Sequence, residues 1–226
     1  MKKLRTYDDF VRRVETAGFL PFSKILDNLP SLSDETEESQ WHTGEPDTDP
    51  WLWKDRIASE KRAAFGCVLG GGKGFLSPRL YPYFLCAFQP SEEMEERWSR
   101  GLLKPAVWET WKQFEENAIC STTELHNFWR GSGKKGTSAM DGALRELQMQ
   151  FRITVAGNRR KLDRYGQPCG WPSLLYERVD TWAPVAWQTA AENLEQAEAR
   201  EVILSAVFAL APKADPKALE RLFRFR

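Results

Sequence analysis

Apolar residues recur at helical spacing along much of the chain, interrupted by two short stretches with strand character. Phe10, Val11, Val14 and Ala17 share one face of a helix that Thr6 can cap and Gly18 can end, with Asp9 in the capping-box position. Phe19 to Pro30 shows no period and reads as irregular, and residues 33–40 form a short acidic helix or a loop. Asp49-Pro50 is a helix start, with the acid at the cap and proline in the first turn; the helix it opens runs to about Arg62, with Trp53 and Ile57 inward and Trp51 nearby. Residues 63–69 are strand-like, Gly70 to Gly74 is a turn, and Phe75-Leu76 returns as a second strand. Ser77-Pro78 then opens a helix to about Phe88, and Ser91 caps another that ends at Gly101.

The second half is more regular. Val107, Trp108, Trp111 and Phe114 define a helix from Pro105 to Asn117, and Ile119 follows as a short strand or bridge. Ser121-Thr122-Thr123-Glu124 is a capping box that starts a second helix. A glycine-rich link carries Lys134 and Lys135, and Ser138 opens a third helix with Met140, Ala143, Leu144 and Leu147 on one face. Residues 151–156 alternate as a strand, Gly157-Asn158 supplies a turn, and residues 173–179 return. Three helices followed by a β-hairpin is the order of a winged helix, whose third helix is the one that reaches a DNA groove. The expected architecture is α+β, mainly helical: an N-terminal helical and hairpin region over residues 1–103, a winged helix over 104–184, and a helical segment over 185–226.

Charge sharpens this picture. The 226 residues carry 32 Lys plus Arg against 32 Asp plus Glu, so bulk charge does not attract nucleic acid, and any DNA contact has to be local. The charge is polarised: Asp27 to Asp55 holds nine acids and one base, whereas Gly131 to Gly166 holds eight bases and three acids. Lys134, Lys135, Arg159, Arg160, Lys161 and Arg164 fall where a winged helix approaches phosphates. Arg145 and Gln148 on the third helix are candidate base readers, since Arg pairs with guanine and Gln with adenine. Lys73 and Arg79, beside the glycine turn, are further candidate phosphate contacts.

The segment from Gln40 to Arg56 combines aromatic and acidic residues. Its Trp41, Trp51 and Trp53 are candidate faces for stacking a flipped base, and Asp47 and Asp49 are candidate water-positioning acids; an ordered loop pinned by buried tryptophans, with Asp49 only capping a helix, is the competing reading. The glycine turn lacks the spacing of a nucleotide-binding P-loop. The four cysteines form no CxxC, and His42 and His126 stand apart, so neither a metal nor a cofactor is expected. With no apolar stretch of membrane-spanning length, a cytoplasmic location is expected.

The stretches STTELHNFW, SAMDGALRELQMQFRITVAGNRRK and LLYERVDTWAP resemble the winged-helix repeats of the AlkZ-type DNA glycosylases, and KRAAFGCVLGGGKGFLSPRLYPYFL resembles the family's N-terminal strand, hairpin and helix. The resemblance implies tandem winged helices, contact with double-stranded DNA, and a relation to enzymes that excise alkylated or cross-linked bases without a metal. Those enzymes use a Gln-x-Gln or Gln-x-Asp motif near the start of the chain. Here the corresponding tripeptide, Gln148-Met149-Gln150, lies at the end of the third helix, and the catalytic role is not carried over to it. Two other classes remain open: a non-catalytic DNA-binding regulator, and a winged helix that serves as a protein-interaction module.

Overall fold

In the computed structural model, which describes residues 3–131, 138–223 and 225, α1 (Tyr7–Ala17) begins where the Thr6 side chain accepts the Asp9 N–H. Gly18 stops it in a left-handed conformation, φ +87°, that glycine adopts without strain. The chain then forms β1 (Phe19–Pro21), α2 (Leu32–Glu35), a 3-10 turn at Glu38–Gln40, α3 (Pro50–Ser59), β2 (Ala64–Leu69) and β3 (Gly72–Leu76). Helices α4 (Tyr81–Phe88) and α5 (Met94–Ser99) lead to α6 (Pro105–Glu116), β4 (Ile119–Ser121), α7 (Thr122–Gly131), α8 (Ser138–Met149), β5 (Ile153–Arg159) and β6 (Ser173–Arg178). The chain closes with α9 (Val179–Trp182), α10 (Val185–Glu192), α11 (Gln196–Leu210) and α12 (Pro216–Phe223).

The class is therefore α+β, with two antiparallel three-stranded sheets ordered β1-β3-β2 and β4-β6-β5. The two sheets show that the chain uses one plan twice: helix, strand, helix, helix, hairpin, with the last strand in the centre. The likeness extends to detail. Two residues beyond α3, Lys61 has φ +53°, and two residues beyond α8, Phe151 has φ +50°. In both places the next N–H reaches back into the last turn, Arg62 to the Ile57 carbonyl and Arg152 to that of Leu147. Strand β1 was expected to be irregular. Three residues are too few to display a period, and Phe19 and Leu20 are both buried.

The two units hold each other reciprocally, α3 packing on β5 and α8 on β2. Each of these strands is irregular at the contact, with register shifts between Gly66 and Leu69 and between Val155 and Gly157. In β2 the displaced Cys67 N–H donates to Gln148 Oε1 at 3.1 Å. In β5, Gly157 with φ +139° lets α3 approach; an added Cβ would lie 3.2 Å from the Ser59 Cβ. The turn expected at Gly157-Asn158 is thus a bulge inside β5, and the hairpin loop lies beyond Arg159. Glycine followed by asparagine suits either, and the sequence does not show that α3 covers the site.

One apolar core joins α1, α3 and β2 to α6, α7, α8 and β5, so it crosses the boundary expected near residue 103. A second joins β1, α4 and Phe151 to α9, α11 and α12. Among the described residues, no helix is long and apolar enough to cross a membrane.

Candidate nucleic-acid interface

The acidic loop before α3 is organised by one carboxylate. Buried Asp49 accepts the backbone N–H of His42 at 3.0 Å and of Trp51 at 2.9 Å on Oδ1, and that of Gly44 at 3.0 Å on Oδ2. These bonds hold His42 at φ +63°, a conformation few side chains adopt unaided. With both oxygens used by backbone donors, Asp49 caps α3 and shapes the loop, so it is poorly placed to position water. Asp47 is exposed, pairs with Arg56 at 2.9 Å, and accepts the Tyr7 N–H on its carbonyl. The two acids do not converge on one point of chemistry.

The loop, α3 and the β5–β6 connection enclose a cleft of about 420 Å³. Aromatic rings wall it. Trp51 lies 4.9 Å from His42 and 5.9 Å from Trp171 between centroids, and His42 lies 5.7 Å from Trp171. Phe22 and Phe65 close the inner side. Trp171 is 64% exposed, so a flat ligand can reach its face. Trp41 sits behind this wall, against Phe22 and with its Nε1 donating to Thr36. Trp53 points the other way: it is buried and stacks on Phe10 at 5.4 Å, which removes it as a stacking surface.

A lysine and an acid line the cleft among these rings. Trp51, Lys54 and Asp55 fall three and four residues apart on α3 and so share one face. Lys54 Nζ donates to Asp55 Oδ2 at 2.7 Å and sits 4.4 Å above the Trp51 ring. Asn158, from β5, donates to the same Oδ2 at 2.7 Å. Asp55 Oδ1 is buried without a hydrogen-bond partner. Burial pushes the Lys54 ammonium below its ordinary pKa, Asp55 works against that shift, and Lys73 adds to it. Nothing in the sequence marks Asp55 or Trp171 for a role, whereas Lys54 lies among acids it can pair with, and the spacing from Trp51 to Asp55 is a signal that the lysine and the acid share a face with that ring.

Basic residues stand at the rim. Lys73 and Arg160 line the cleft, and Arg159, Lys161 and Arg164 are exposed on the adjoining β5 end and loop. Arg159 pairs with Glu124 at 3.1 Å. The loop is shaped by Asp163, whose Oδ1 accepts from the N–H groups of Tyr165 and Gln167. Exposed Arg79 opens the α4 region, outside the cleft. Lys134 and Lys135 lie outside the described residues. Gln148 is buried and uses its amide on Cys67 and on the Leu144 carbonyl, while Arg145 donates to the Gly71 carbonyl at 3.1 Å. Both therefore serve the contact between the two units.

Among the described residues, no three His, Cys, Asp or Glu side chains converge as a metal site. The fold and cleft define a two-unit α+β protein with an aromatic, lysine-bearing pocket under a basic rim. A family model described as AlkZ related matches residues 4–224, nearly the whole chain, and the protein belongs to that family. No curated protein and no solved structure matches the chain.

Proposed function

We propose that this protein is a tandem winged-helix module that binds double-stranded DNA and receives an extruded or damaged nucleotide in the aromatic cleft. The observation that carries this reading is the cleft itself: three aromatic rings within 6 Å of one another, beside Lys73 and Arg160. Aromatic faces hold a flipped base, and cations at the rim neutralise the flanking phosphates. Its volume lies in the range of small-ligand pockets, roughly 300–1,000 Å³. The repeated order of elements and sheet order supports the winged-helix description of both units. Membership in the AlkZ-related family supports a setting in DNA repair.

In this reading the β5–β6 hairpin is the wing, and Arg159, Arg160, Lys161 and Arg164 grip phosphate. The C-terminal half of α8 is engaged with β2, so the wing and the cleft are the DNA-facing parts. Trp51 and Trp171 supply the stacking faces, with Trp41 supporting them from behind. If bases are excised, Asp55 is a better placed acid than Asp47 or Asp49, because its free oxygen belongs to a cleft-lining residue.

The test compares binding of intact duplex with duplex carrying a tetrahydrofuran abasic analogue, for the wild type, Trp51→Ala and Trp171→Ala. The expected result is a preference for the analogue, which leaves the base opposite it unpaired and free to enter the cleft, and either substitution should reduce that preference by about tenfold, since a stacked base contributes roughly 1–3 kcal/mol. Equal affinity for both duplexes in all three proteins would refute the role of the cleft.

A further inference from the structure

The Lys54–Asp55 pair has a chemical capacity that binding alone does not use. The two side chains are 8% and 7% exposed, and burying an ion pair gains little stability over apolar residues of similar size. Both nevertheless line the cleft, whose volume of about 420 Å³ lies in the range of small-ligand pockets. Asn158 and Lys54 hold one Asp55 oxygen in place, and the other has no partner. Enclosure by aromatic rings favours the neutral, nucleophilic amine of a lysine, and the carboxylate beside it is placed to accept the ammonium proton.

We propose that Lys54 condenses with the aldehyde of a ring-opened abasic deoxyribose, forming an imine that joins protein and DNA. The proposal rests on the DNA-binding reading above. Asp55 takes a proton from the Lys54 ammonium, and the freed Nζ lone pair attacks the C1′ aldehyde carbon. A C–N bond forms as the carbonyl π pair moves to oxygen, which takes the proton from Asp55. The C1′ carbon regains its planar form as the C–O bond breaks: with proton transfer from nitrogen to the leaving hydroxyl, the remaining nitrogen lone pair forms the C=N bond, water departs and a protonated imine remains. The sum is ammonium plus aldehyde giving iminium plus water, with no oxidant or reductant. Lys73 and Arg160 at the rim suit the two phosphates that flank such a sugar.

The experiment incubates the full chain with duplex carrying an aldehydic abasic site in the presence of cyanoborohydride, which reduces an imine to a stable amine. A parallel sample uses the tetrahydrofuran analogue, which has no aldehyde. The expected result is a covalent adduct with the aldehydic duplex alone, mapped by peptide mass to Lys54 and lost in Lys54→Arg, which keeps a cation beside Asp55. Mapping in the wild type makes the result independent of how the variant folds. An adduct on Lys73 or on another amine overturns the assignment. No adduct, together with salt-sensitive binding of the tetrahydrofuran duplex, overturns the imine and leaves the binding reading intact. Binding to neither duplex overturns both.

Discussion

At the scale of single residues, the acids of the N-terminal half separate by what their oxygens already hold. Asp49 accepts three backbone N–H groups, whereas Asp47 makes one exposed ion pair. Asp49→Ala should therefore lower unfolding free energy by about 1–3 kcal/mol, the cost of stranding buried donors. Asp47→Ala should change it by less than about 1 kcal/mol. Denaturant unfolding of the two variants checks this, and equal effects would contradict it. Lys54 gives a pH dependence. Its folded pKa lies below the ordinary 10.5, because burial outweighs Asp55 and Asp49, which oppose the shift, while Lys73 reinforces it. Between those values the unfolded chain binds the proton more readily, so stability contributed at this site rises with pH. Lys54→Arg stays charged throughout, and the wild type should gain on it as pH climbs toward 10.5; a constant difference would show that burial does not govern Lys54. Asp55 could have been selected from its helical spacing to Trp51, but nothing in the sequence shows that Asn158, 103 positions away, meets it.

At the scale of elements, helices with strong apolar periodicity were legible in advance. The capping residues Thr6, Asp49 and Ser121 occupy the positions their sequences indicate. Less legible were elements defined by partners distant in sequence. Strand β1 exists because β3 pairs with it, and the β5 bulge exists where α3 packs. Gln148 looked like a surface reader because a glutamine on a helix usually faces water. It is instead the acceptor for the N–H that the β2 bulge leaves unpaired. Gln148→Ala should therefore destabilise the fold by about 1–3 kcal/mol. If it leaves stability unchanged and weakens DNA binding instead, the base-reading role expected from sequence is restored. Cys169, exposed in the β5–β6 connection, offers a footprint of the proposed DNA contact. Alkylation there should slow when the abasic-analogue duplex is bound, while Cys120, buried and with its pKa pushed up to about 11, reacts slowly in either state. Unchanged labelling of Cys169 would place the DNA elsewhere.

At the scale of the whole molecule, zero net charge gives no bulk attraction to nucleic acid, so any DNA contact depends on a local basic patch. The structure adds what a linear reading could not: the β5–β6 loop meets the aromatic loop before α3, so Trp51 and Trp171 share one cleft though 120 positions apart in sequence (171 less 51). The duplicated plan explains how. Reciprocal packing of α3 on β5 and α8 on β2 carries each unit's hairpin to the other's third helix. Family membership and the cleft are thus independent supports for a role on DNA.

The most direct measurement is the affinity of the abasic-analogue duplex across a salt series, for the wild type and for Arg159, Arg160 and Lys161 changed together to Ala. If the wing grips phosphate, log affinity falls linearly with log salt, and the triple variant loses up to about three units of slope, roughly one per phosphate contact. Salt-independent binding, or a slope that the triple variant leaves unchanged, would contradict the account.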